Sequence, residues 1–242
     1  MPAAAPPFPQ VSELLRTASA MFRVTLLKCL PIAMLALLCL YAPLLYWIGT
    51  GHAMESGMPT DARSVVLSLL SNAVFVYLGA ALMLRQRAFG SGAAVNIRAE
   101  LAAAARRLPM LWGTWLLMSV SLALGLLLLV LPALFLLVCY LVLPAVVLYE
   151  RHNPYSALLR SVLLVRPHWT KIFATLVFAL LMMVIVAFTI GAAVSILAAL
   201  LPGPVSLGQA VMAAGAVAIG AAMVVFMSAL SLTLHSAASS SA

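Results

Sequence analysis

The forty residues from Met110 to Tyr149 contain no Asp, Glu, Lys, Arg or His. A helix rises about 1.5 Å per residue and bilayer hydrocarbon is about 30 Å thick, so roughly 20 apolar residues cross it once. The run is two crossings long, and Pro132 marks a tight turn that divides it into spans at 110–130 and 133–149. Four further apolar blocks of span length lie at about 30–48, 64–84, 172–200 and 210–234. The last two are separated by Leu201-Pro-Gly-Pro-Val-Ser-Leu-Gly-Gln209, a segment with two prolines and two glycines that ends a helix. Apolar residues run continuously rather than alternately, which disfavours a strand barrel. The expected fold is therefore all-α, a single polytopic membrane domain over 1–242 with six transmembrane helices, and 1–9 and 236–242 as flexible tails.

Composition removes the main alternatives. Of 242 residues, 66% are apolar and 7% are charged, against about 25% charged in a soluble domain. A soluble enzyme, a disordered chain and a disulfide-stapled secreted domain are all excluded. Cys29, Cys39 and Cys139 lie within apolar runs without a CxxC pair, and read as buried free thiols. The first span exceeds a signal-peptide h-region, and Gly51-His-Ala53 imitates a cleavage site only weakly, so an uncleaved helix is expected.

The net charge of +8 invites a reading as a nucleic-acid binder, but the placement of the charges argues otherwise. With six spans, one side collects Arg16, Arg23, Lys28, Arg85, Arg87, Arg98, Arg106, Arg107, Arg151, Arg160, Arg166 and Lys171, against Glu13, Glu100 and Glu150. The other side holds Arg63 against Glu55 and Asp61. Twelve of thirteen bases on one face gives +9 there and −1 opposite. That is the positive-inside pattern, and it places both termini in the cytoplasm with no nucleic-acid partner. Tyr46, Trp47 and Trp112 near span ends suit the membrane interface.

Three basic-side segments share a design. Val11, Leu14, Leu15, Ala18 and Phe22 share one helical face, with Glu13, Arg16 and Thr17 largely opposite. Between Ala93 and Leu108, Ile97, Leu101, Ala104 and Leu108 form a stripe, with Arg98, Glu100 and Arg107 elsewhere, after a Gly90-Ser-Gly92 turn. A third segment, Pro154 to Val165, starts after Asn153. Ser12-x-Leu14-Leu15-Arg16 recurs as Ser156-x-Leu158-Leu159-Arg160. The chain thus reads as three hairpins, each preceded by an amphipathic interfacial helix.

This pattern resembles the YciC-like family of bacterial six-span inner-membrane proteins, and the related membrane domain of some glycerophosphoryl diester phosphodiesterases. The resemblance is carried by Leu143-Pro-Ala-Val-Val-Leu-Tyr-Glu150, by Ala157-Leu-Leu-Arg-Ser-Val-Leu-Leu-Val-Arg166 and by His168-Trp169. It is sharp over about 140–180 and architectural elsewhere. Pro167 stands where the family more often has glycine, which bears on how that helix ends. The resemblance implies a multipass inner-membrane protein of unestablished activity. The phosphodiesterase chemistry resides in a soluble domain that these residues do not include, so no catalytic residue is carried over.

No phosphate loop, zinc helix or nucleophile elbow occurs, so catalytic, metal and cofactor sites are all read as none. Glu150, His152 and His168 match no standard ligand spacing, and His52 and His235 flank spans. No Asp, Glu, Arg or His lies near the centre of a span, and Lys28 can snorkel. Ion-coupled transport usually needs such a charge. Asn72 is the most polar span residue, with Ser119, Ser121 and Thr189 milder; all read as packing contacts, with a substrate contact on a transport path the alternative for Asn72. Ala187, Gly191, Ser195 and Ala199 repeat every four residues, as do Ala210, Ala214, Ala218 and Ala222. Small residues so spaced let helices approach, most simply as a hairpin of the last two spans and alternatively as a dimer seam. Homo- or hetero-oligomerisation stays open. Arg16, Arg98, Arg107 and Arg160 are candidate contacts for anionic lipid headgroups. The leading expectation is a non-enzymatic inner-membrane protein of envelope organisation, assembly or lipid association. A transporter or channel subunit for a neutral or amphipathic solute is the alternative, and a lipid enzyme built on Glu150, His152 and His168 a third.

Overall fold

A computed structural model describes residues 8–49, 62–93, 95–128, 130–150, 153–200 and 205–241. Its elements are α1 (Val11–Gly49), α2 (Ala62–Gly90), α3 (Ile97–Leu128), α4 (Val130–Glu150), α5 (Pro154–Val165), α6 (Trp169–Leu200) and α7 (Val205–Ser240). A single 3₁₀ turn, Arg166–His168, joins α5 to α6. The described residues contain no strand. Six stretches are long and apolar enough to cross a membrane, the architecture of a multi-pass membrane protein. The Leu201–Pro204 breaker and Gly51–Ala53 lie outside the described residues.

Two expected helix breaks are absent. The first amphipathic segment continues into its span as one 39-residue helix, about 58 Å long, roughly twice the hydrocarbon thickness. Nothing between Arg23 and Leu30 stops a helix, and Pro31 is absorbed in its interior. Likewise α3 runs from the second amphipathic segment through Pro109 into its span. Only the third segment, α5, is a separate helix, because Pro167 allows a 3₁₀ turn but no continuous ladder. Pro132 falls within the first turn of α4 rather than between helices, a position where a missing N–H costs nothing. Between α2 and α3, Gly92 adopts φ +68°, which glycine reaches without a Cβ clash. Asn96 then caps α3, its Oδ1 accepting from the Arg98 and Ala99 amides at 3.1 and 3.4 Å.

The helices of each successive pair, α1/α2, α3/α4 and α6/α7, touch, and the most extensive contact in the molecule joins the first helix to the last. Phe22 meets Phe226 edge-on at 5.6 Å, and a Cβ on Gly220 would lie 3.0 Å from Leu37. A fully buried amide bond, Gln86 Nε2 to the Val225 carbonyl at 2.8 Å, ties α2 to α7. The core centres on α4, where Val138, Val142, Leu143, Val146 and Leu148 are buried. Outside it, α6 leaves Val177, Phe178, Leu181, Val184 and Phe188 exposed.

The expected tails are partly ordered. Helix α7 extends to Ser240, and Ala237 and Ala238 are buried in the main core. Its serines do not solvate a tail: Ser236, Ser239 and Ser240 each donate to a carbonyl three residues back. Near the other terminus, Phe8 is buried and stacks on His168 at 4.1 Å. Ser241 reaches the same histidine, with Oγ 3.2 Å from Nε2.

Candidate functional site

A cleft of about 270 Å³ opens between α2, α3, α4 and α7, with Gly79, Leu111, Trp115, Met118, Pro144 and Met227 among its walls. A Cβ on Gly79 would meet no atom within 4 Å, so this glycine leaves part of the cleft empty. The serine and threonine hydroxyls along it are turned into backbone: Thr114 donates to Met110 O, Ser228 to Val225 O, and Ser231 across to Leu141 O at 2.6 Å, while the buried Tyr140 hydroxyl on the same wall has no hydrogen-bond partner among the described residues. With those donors used, the cleft surface is almost wholly apolar, and half-buried Trp115, Met118 and Met227 keep part of their surface exposed. Such a cavity suits an apolar occupant.

About one turn beyond one end of this cleft lies a polar layer with a simple helical origin. Residues four apart share a helix face, and one turn beyond lining residues Met83, Leu111 and Ser231 stand Arg87, Arg107 and His235. On α4, Tyr149 and Glu150 follow the lining residue Leu148. Arg87 lies over the Tyr149 ring at 3.9 Å, a cation–π contact. The Tyr149 hydroxyl donates to Met83 O at 3.2 Å, and Arg107 Nη1 donates to Val147 O at 3.5 Å. Glu150 is bound on two sides, by Arg160 Nε at 3.0 Å and by His235 Nε2 at 3.0 Å. Arg160, an expected headgroup contact, is thus paired with Glu150 and remains partly exposed.

The remaining expected residues are dispersed. Arg16 and Arg98 are exposed on α1 and at the start of α3, apart from the polar layer. Asn72 donates to Ser68 O within its own helix and lines a second cavity of about 400 Å³ between α1 and α2. The two cavities share no lining residue. Ser119, Ser121 and Thr189 each donate to a carbonyl four residues back. Of the metal candidates, His152 lies outside the described residues. His168 faces Phe8 and Ser241 rather than Glu150's partners. Among the described residues no three His, Cys, Asp or Glu could hold a metal ion.

The small-residue stripes are only partly buried. Ser195, Ala210 and Ala214 are exposed, and a Cβ on Gly191 would meet nothing within 4 Å; the Ala199 side chain lies outside the described residues. Ala187, Ala218 and Ala222 are half-buried. Instead Gly215, beside the stripe, receives Val194, whose Cγ1 would lie 2.9 Å from an added Cβ. At this contact valine supplies the knob and glycine the hole.

Glu100 also departs from its expected outward position. It is buried, and both carboxylate oxygens lack a hydrogen-bond partner among the described residues. The cause lies in how α3 begins. Tyr77 of α2 donates to Leu101 O at 3.3 Å, drawing that turn against α2. Arg85, Glu100 and Lys28 all lie close enough to Cys29 to act on its thiol electrostatically. Arg87, Tyr149, His235 and Glu100 all escape the sequence reading. A signal exists for the first three, since each stands within one turn of the same end of its span. Compared with known protein families, with characterised proteins and with solved structures, the chain matches none.

Proposed function

We propose that this is a non-enzymatic inner-membrane protein of a bacterial envelope, YciC-like in kind, that associates with lipid through the cleft between α2, α3, α4 and α7. The observation that carries the reading is the cleft's largely apolar wall, whose serine and threonine hydroxyls are committed to backbone carbonyls. A neutral solute in transit would need polar groups to replace its hydration, whereas an acyl chain needs none. The charge asymmetry supports termini in the cytoplasm. Asn72 and the second cavity support the transport alternative.

Two measurements test it. Purification in mild detergent followed by lipid analysis is expected to recover bound lipid from the native protein and much less from Gly79→Leu, which fills the cleft. Equal recovery from both would remove the reading. Reporter fusions after Leu84 and Leu200 are expected to report cytoplasm and periplasm respectively, and the reverse pattern would overturn the orientation.

A further inference from the structure

We infer that the cleft and the polar layer at its end form one binding site for an anionic phospholipid, with the acyl chain in the cleft and the phosphate held by Arg87 and Arg107. The inference rests on the cleft reading above and adds the headgroup chemistry.

Charge balance within the layer singles out these two arginines. Among the described residues it contains three guanidinium groups and one carboxylate, and the carboxylate of Glu150 is engaged by Arg160 and His235. Arg87 and Arg107 have no carboxylate within ion-pair distance among the described residues. Arg87 leans on the Tyr149 ring and Arg107 makes one long bond to a carbonyl, so each retains most of its five donors. Both act electrostatically on Tyr149, which puts their charges on the same residue. A guanidinium matches phosphate oxygens two at a time, as a point-like ammonium does not.

The location decides between a lipid and a free phosphate. Arg87 follows the cleft-lining Met83 by one turn and Arg107 precedes the cleft-lining Leu111 by one turn. Arg87 itself lines a neighbouring, more polar cavity with Tyr149 and His235, so an anion seated there lies about one helical turn beyond the end of the apolar cleft. Free phosphate would use the arginines and leave the cleft unexplained. A neutral lipid would use the cleft and make no use of the two arginines beside it. An anionic phospholipid uses both.

The full-length protein is reconstituted in bilayers of phosphatidylcholine with a minority of phosphatidylglycerol, extracted in mild detergent, and its retained lipid measured by mass spectrometry. Phosphatidylglycerol is expected to be enriched about tenfold over the bilayer, given the attraction of two basic groups. Arg87→Gln with Arg107→Gln is expected to abolish that enrichment while total retained lipid persists. Arg87→Lys with Arg107→Lys should retain part of it, which separates lost charge from lost folding. Arg106→Gln with Arg166→Gln, removing two exposed charges outside the layer, should leave it intact. Retained lipid without anionic enrichment, or enrichment that survives Arg87→Gln with Arg107→Gln, overturns the headgroup site alone. Absence of retained lipid, unaltered by Gly79→Leu, overturns the cleft itself. Enrichment reproduced by competing inorganic phosphate, with no acyl chain retained, would assign the arginines to a free anion and also overturn the inference.

Discussion

Helices α4 and α6 are nearly equal in apolar character and opposite in placement. Their most apolar windows have mean hydropathies of 2.3 and 2.7, yet 56% of the α4 window is buried against 22% for the stretch containing α6. In water such a difference would be intolerable, because an exposed apolar helix would be driven inward. In a bilayer the tails are as apolar as leucine, so hydropathy selects the membrane and not the core. What brings α4 inward is contact geometry and polar ties: valines that pack flat at 138, 142, 146 and 147, and the bonds from Ser231 and Arg107 to its carbonyls. The middle of α6 has no equivalent; Thr189 serves its own helix.

The contrast can be broken by substitution, with unfolding in mixed micelles as the measure. Leu143→Ala in α4 is expected to cost about 2 kcal/mol, near the bottom of the usual range because the leucine leaves for lipid rather than water. Gly215→Leu should cost about 1.5 kcal/mol by wedging Val194 outward, and pairing it with Val194→Ala should recover part of that. Glu150→Gln, which weakens the bonds from Arg160 and His235, should cost about 1 kcal/mol, modest because the site is partly solvated. Ser231→Ala, removing the tie between α7 and α4, is expected to cost about 0.6 kcal/mol. The exposed Ile185→Ala in α6 should stay within about 0.5 kcal/mol. If Ile185→Ala proved as damaging as Leu143→Ala, the exposed flank of α6 would have to be an interface with another protein surface rather than with lipid.

Span number was legible because desolvation of charge is the largest energy at stake, and charge-free runs of span length leave few alternatives. Helix continuity was harder. Arg23 to Leu30 holds no breaker, yet the shift from an amphipathic pattern to a uniformly apolar one imitates a boundary. Serine is ambiguous for a similar reason: Ser236, Ser239 and Ser240 look like a polar tail until their hydroxyls fold back onto the helix. The inward Glu100 was not legible, since its direction depends on a bond from Tyr77, 23 residues upstream in sequence. The cleft is the hardest case. It exists because Gly79 fails to fill a gap between four helices, and no local pattern reports what faces a residue from elsewhere in the chain.

The extensive contact between α1 and α7 also sets an order of events during synthesis. Between Gly49 and Val205 lie 155 residues, which a ribosome adds in roughly ten to thirty seconds. For that interval the first helix is in the membrane without its principal neighbour, and the buried face running from Leu14 to Leu37 must be covered by lipid or by the insertion machinery. A nascent chain stalled before α7 would present that face, which makes the interval the period in which the protein is most open to quality control.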